Sequence, residues 1–225
     1  MKFKGIKFLT AFVVWTGIIL LVDVQQVGVM GTSVGFATLN TWFHQVTGVH
    51  MQLYTITDWL GLVPVGICMM FGMTGFVQLI KRRNLRKVDF DLILLGGYYV
   101  IVIFGYLIFE MIPINYRPIL IEGRMEASYP SSTTLLVLSV MPTLIDQTKR
   151  RLKSIKIKRM ICMMSMGFSL FMVIGRMICG VHWLTDIAGS VLLSTGLFYS
   201  YMEAVEIREK IRRKASWNFM KNCKR

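Results

Sequence analysis

The chain has 225 residues, 54% of them hydrophobic and only 17% charged, with a formal net charge of +14 at pH 7. That balance excludes an ordinary soluble domain, whose surface cannot absorb so large an apolar share. The length allows one domain, and no linker, internal repeat or low-complexity tract divides residues 1–225. Cys68, Cys162, Cys179 and Cys223 show no CxxC spacing, which argues against a disulfide frame or a zinc site and for small packing residues.

The uncharged runs, set against the roughly 20 residues a spanning helix needs, predict an all-α integral membrane bundle of six transmembrane helices. The first span covers residues 6–24, its uncharged run from Phe8 to Val22 preceded by Lys2, Lys4 and Lys7; it resembles a signal-peptide core, but no small-x-small cleavage site follows, so it is read as retained. Between spans one and two, the stretch from Phe36 to Val46 repeats its apolar residues at helical spacing. It predicts a short interfacial helix anchored by Trp42 and Phe43. The remaining spans are predicted at 59–80, 92–109, 129–147, 160–179 and 183–203, followed by a basic tail at 208–225.

The 26 Lys and Arg decide what the net charge means. All but Arg117, Arg124 and Arg176 fall before span one, in Lys81–Lys87, in Lys149–Arg159, or in the tail. These are alternate loops and both termini, the cytoplasmic surfaces of a six-span protein in a cell membrane under the positive-inside rule. Nucleic acid is excluded as a partner, because every basic stretch abuts a span and none is interleaved with aromatic residues. The bilayer itself is the expected partner, with the tail on anionic headgroups.

Arg117, Arg124 and Arg176 project to the opposite, extracytoplasmic side, where three short segments concentrate polar chemistry. Glu110 to Pro118 ends the third span with an Arg-Pro pair. Tyr129-Pro130-Ser131-Ser132-Thr133-Thr134 leads into the fourth span, placing hydroxyls and free N–H groups at a helix N-terminus, where they serve either as caps or as an anion site. Gly175 to Asp186 forms the turn between spans five and six, made at Gly180. Within it His182 and Asp186 are four apart and share a helix face. A carboxylate on one imidazole nitrogen holds the tautomer and frees the other nitrogen to attack phosphorus, while Arg176 offers charge-assisted contacts to phosphate oxygens.

These segments resemble the signature of the type 2 phosphatidate phosphatase superfamily, which also includes the vanadium haloperoxidases: K-x6-RP, then PSGH, then SR-x5-H-x3-D. Arg117 and Pro118 match the first motif, Pro130 and Ser131 the second, and Arg176, His182 and Asp186 the third. The resemblance implies that His182 is the nucleophile of a phosphohistidine mechanism, that Asp186 is its paired carboxylate, and that Arg117, Arg176 and Ser131, with Ser132 beside it, bind phosphate. It implies no metal and no cofactor. The chain departs from the pattern at four positions: Glu110 stands at the lysine position, Ser132-Thr133 replaces Gly-His, and Gly175 replaces the serine before Arg176.

The missing histidine protonates the leaving group in the resembled family, and general acid catalysis is worth about a hundred- to ten-thousand-fold. A diphosphate suffers less from its loss, because the departing group is a stabilised phosphate. Glu110, Glu126, Tyr129 and Thr133 are the candidates within these segments to stand in at altered positions, and His44 and His50 lie on the same face. The expected activity is hydrolysis of a phosphorylated or diphosphorylated lipid at the non-cytoplasmic face. The alternative is a protein that binds lipid phosphate headgroups or a partner without turnover.

Overall fold

The computed structural model describes residues 3–222, with side chains to residue 214; Lys2 and Cys223 lie outside the described residues. It runs α1 (Lys4–Ile19), α2 (Ala37–Thr47), α3 (Met51–Leu60), α4 (Leu62–Arg82), α5 (Phe90–Met111), α6 (Ser132–Arg151), α7 (Ile155–Ile178) and α8 (Leu184–Asn222), with no strand among the described residues. Every predicted span has its helix, and α2 occupies the place of the short helix between spans one and two. Three stretches are long and apolar enough to cross a membrane: Met51–Arg82, Phe90–Met111 and Ile155–Ile178.

Several predicted boundaries move. The first helix stops at Ile19, short of residue 24, because the chain turns back on itself. Asp23 adopts a left-handed φ of 47°, Gln25 pairs with Val34, and Gly35 lies so close that a Cβ there would sit 1.7 Å from the Ile19 carbonyl oxygen. The second span begins at Met51 instead of 59, since α3 runs into α4 through a turn at Gly61. Asp58 reads as a boundary in a hydropathy count, yet it sits inside this helix because a cation meets it in the folded bundle. The tail predicted from residue 208 continues α8 as helix as far as Asn222.

Helix α6 is the centre of the bundle, packed against α7 on one side and α8 on the other. Its buried residues include Thr134, Ser139, Thr143, Gln147 and Thr148, so it would be a poor lipid-facing helix. Neighbouring helices meet several of them: Tyr99 Oη bonds Thr143 Oγ1 at 2.7 Å, Gln147 Nε2 donates to Tyr201 Oη at 3.2 Å, and Tyr98 Oη donates to the Ser139 backbone carbonyl at 3.1 Å, while Ser139 Oγ itself has no partner among the described residues. Helix α1 lies along α8 through small residues. A Cβ at Gly5 would fall 2.3 Å from Ser200 Oγ, and one at Gly196 would fall 2.8 Å from Leu9 Cδ2. At the basic end of the bundle, Asp89 accepts from Arg82 at 2.8 Å and Arg151 at 3.3 Å, tying the α4–α5 loop to the end of α6.

Candidate active site

At the opposite end of the bundle, residues 115–128 form a hairpin. Tyr116 pairs with Ala127 and Ile121 with Arg124, and the tip turns at Glu122-Gly123, both with positive φ, the geometry of a tight two-residue loop. The Arg117 N–H donates to the Glu126 carbonyl at 3.1 Å and the Ser128 N–H to the Asn115 carbonyl at 2.9 Å. The hairpin thereby presents Asn115, Arg117, Glu126 and Ser128 together. The exposed Arg124 stays at its tip.

The second contribution is the α7–α8 turn. Gly180 has φ +75° and a Cβ there would meet the Gly48 carbonyl oxygen at 2.1 Å, so the turn predicted at this glycine is formed there and demands it. It leaves His182 3% exposed and Asp186 fully buried. Asp186 Oδ2 accepts from the Trp183 N–H at 2.9 Å, closing the first turn of α8 as one arm of a capping box. Asn115 Nδ2 donates to its other oxygen at 3.3 Å.

The direct His182–Asp186 contact expected from their spacing is corrected here. Nδ1 and Oδ2 are 3.9 Å apart, too far for a hydrogen bond. Ser128 stands between them, its Oγ donating to Asp186 Oδ2 and lying 3.1 Å from His182 Nδ1. A hydroxyl has one proton. With that proton given to Asp186, Ser128 accepts from Nδ1–H, which fixes the neutral tautomer and leaves the lone pair on Nε2. That nitrogen is buried without a hydrogen-bond partner among the described residues. Burial, and then the charges of Arg117 and Arg176, hold His182 well below the usual histidine range, so the imidazole is neutral at neutral pH.

His182 lines a polar cavity of about 200 Å³ together with Tyr106, Glu110, Arg117, Glu126, Ser128, Tyr129 and Ser132. Arg117 Nη2 is 3.1 Å from Glu126 Oε2, while its Nε and Nη1 are buried without partners among the described residues. Glu110 lines the cavity but forms no ion pair with Arg117, which is held by Glu126 instead. Ser132 faces the cavity, whereas Ser131 Oγ is turned into the core and donates to Thr134 Oγ1 at 3.1 Å. Tyr129 Oη bonds Thr16 Oγ1 at 2.7 Å and its ring stacks on Phe12, so its hydroxyl is engaged at α1. His44 packs on Trp183 with ring centroids 5.7 Å apart, and His50 Nε2 lies 2.8 Å from the Thr47 carbonyl oxygen.

Arg176 is 1% exposed. Its Nη2 donates to Thr133 Oγ1 at 2.7 Å and to Asp58 Oδ1 at 3.3 Å, and Nη1 donates to Thr57 Oγ1 at 3.4 Å. Thr133 is thus a partner of the arginine. Beyond Ser132 and Tyr106, which line both spaces, an apolar groove of about 510 Å³ opens between α4, α5 and α6, walled by Leu62, Val65, Val102, Ile103, Leu135 and Leu136.

Ser128, Asn115, Tyr54, Thr57 and Asp58 escaped the reading of the sequence. The Glu122-Gly123 pair was a legible turn signal that would have exposed the hairpin and its two flanks. Nothing in residues 51–60 marked them as neighbours of Arg176, more than a hundred positions away.

Fold and site together define a helical membrane protein whose buried, neutral histidine and the Arg117 guanidinium share a polar cavity beside an apolar groove. The family model of the PAP2 superfamily matches residues 104–210, the part of the chain that carries the three segments singled out in the sequence. The fold is similar to the crystal structure of the first transmembrane PAP2 type phosphatidylglycerolphosphate phosphatase from Bacillus subtilis, with TM-score 0.56 and 16% identity over 91% of this chain and 96% of that chain. No curated protein matches the chain.

Proposed function

We propose that this protein is a lipid phosphatase that works through a phosphohistidine on His182, at the extracytoplasmic face of a cell membrane with both termini cytoplasmic. The observation that carries the reading is the unpartnered Nε2 of His182, held in its nucleophilic tautomer through Ser128 and Asp186, in a cavity shared with Arg117. The basic clusters at the far ends of the helices support the sidedness. The adjoining groove suits the apolar chain of an amphipathic substrate.

In the first step the Nε2 lone pair forms a bond to phosphorus as the bond to the leaving oxygen breaks, and the departing group keeps those electrons. Water then attacks the phosphohistidine, giving inorganic phosphate and returning the imidazole. Arg117, with Arg176 behind it, and the Ser132 side of the α6 N-terminus neutralise the equatorial oxygens. Asp186 and Ser128 stabilise the charge that develops on the imidazole. Thr133 is committed to Arg176, Tyr129 to Thr16 and Glu126 to Arg117, so Glu110 is the remaining acid at the cavity. Without a histidine to protonate an alkoxide, the chain is expected to favour a lipid diphosphate over a monophosphate.

The test is phosphate release by purified protein from phosphatidate and undecaprenyl diphosphate. Release that is faster from the diphosphate, is blocked by vanadate and disappears in His182→Ala supports the reading. Equal rates on both lipids would sink the leaving-group argument. The loss of the family histidine at Thr133 favours a second reading, headgroup binding without turnover; lipid binding with no release above the His182→Ala background would establish it.

A further inference from the structure

We infer that one face of α3, formed by Tyr54, Thr57 and Asp58, is a positioning element for the two arginines, and that Gly175 is what admits it. The inference rests on the reading of Arg117 and Arg176 as phosphate ligands. Tyr54, Thr57 and Asp58 are spaced i, i+3 and i+4, so they project from one side of α3, and each meets Arg176. Asp58 supplies a carboxylate and Thr57 a hydroxyl. The Tyr54 ring lies 4.9 Å from the Arg176 guanidinium carbon and 5.7 Å from that of Arg117. One aromatic ring therefore serves two buried cations.

Two guanidinium groups gathered beside one cavity repel each other, and burial removes the water that would screen them. The π-face of Tyr54 attracts both at once. Glu126 and Asp58 each pair with one of the arginines, at 3.1 and 3.3 Å. The result is a pair of cations held in place before an anion arrives, so that little reorganisation accompanies its binding.

Gly175 makes this approach possible. A Cβ at that position would stand 2.8 Å from Thr57 Cγ2. Thr57 cannot easily yield, since its side chain is β-branched and its single Oγ1–H lies between the Leu53 and Tyr54 carbonyls, 2.9 and 3.0 Å away. A side chain at 175 must therefore push α3 away, taking the ring and the carboxylate with it. The glycine standing where the resembled motif has serine is the counterpart of an α3 that packs directly on α7.

The experiment measures the dissociation constant of the purified full chain for inorganic phosphate, together with KM and kcat on the lipid diphosphate. Tyr54→Leu is expected to weaken phosphate binding about tenfold and to raise KM more than it lowers kcat, and Tyr54→Phe, which keeps the ring, to recover the affinity. Gly175→Ala improves helix propensity, so a purely local effect would stabilise α7; instead it is expected to weaken phosphate binding severalfold. Adding Thr57→Ser, which removes Cγ2 and keeps the hydroxyl, is expected to restore it. In an Arg176→Ala background the Tyr54→Leu effect should shrink. Unchanged phosphate affinity in Tyr54→Leu and Gly175→Ala, with Arg117→Ala and Arg176→Ala both impaired, would overturn the inference and leave the proposed function standing. Phosphate binding that is indifferent to both arginines would overturn the two together.

Discussion

At the scale of single residues, Ser128 carries more weight than its type suggests. It converts a histidine and a carboxylate 3.9 Å apart into a connected relay. Ser128→Ala is expected to lower kcat about a hundredfold, near the lower end of what a correctly held proton partner supplies, with KM little changed. Stopped-flow phosphate release would show it. The neutral state of His182 sets the pH response. Its folded value lies below the ordinary value of about 6.5, so the nucleophile persists as pH falls through the usual histidine range and the acid limb of kcat/KM should lie below that range. The same sign governs stability: the contribution is complete above about pH 6.5 and is lost as pH falls through the depressed folded value. Arg117 and Arg176, the charges that face the ring, are expected to move that limb upward when either is replaced by Gln. Glu110 lines the cavity, and Glu110→Lys, which puts a cation where the resembled motif has lysine, should lower KM severalfold. His182, Asp186, Arg117 and Arg176, the proposed nucleophile and its partners, were singled out in the sequence by motif spacing. Ser128 was not, because nothing local distinguishes a relay serine from a loop serine until the hairpin brings it beside residue 186.

Among elements, the turn at Gly180 and the α1–α8 crossing depend most on the absence of a side chain. Gly180→Ala places a Cβ in a left-handed residue against the Gly48 carbonyl and should destabilise by at least ~1–2 kcal/mol. It should also impair catalysis, since the same turn delivers His182. Gly196→Leu is expected to wedge α1 from α8 at a cost of about 1–3 kcal/mol while leaving the site chemistry intact, which thermal unfolding in detergent together with activity would resolve. All six long helices could be read from uncharged runs, because a charge-free stretch of helix length stands out in composition whether it faces lipid or the centre of the bundle. Boundaries were less legible where tertiary contacts override hydropathy. Asp58 cut the second span short in the sequence but lies within helix in the structure, paired to Arg176. The first span, apolar to residue 22, stops at Ile19 because a returning loop caps it.

For the molecule as a whole, the two ends of the bundle divide labour: one holds the cavity, the other a lattice of ion pairs. Asp89 is held at about 2 by its bonds to Arg82 and Gln78. Its stabilisation is therefore present above the unfolded value of about 3.9 and is lost as pH falls toward about 2. The pair is partly solvated, so Asp89→Asn should cost about 1 kcal/mol or less and the difference should fade in high salt, as melting curves at two ionic strengths would register. Helix α6 bears on a different matter. Its buried Thr143 and Gln147 find side-chain partners on α5 and α8, and among the described residues it is not one of the helices apolar enough to cross a membrane unaided. During synthesis it therefore has little reason to leave the translocation channel for lipid when it first appears. Its partner Tyr201 emerges only with α8, so the helix that begins with the motif serines is expected to settle in the bilayer late, as a passenger of its neighbours.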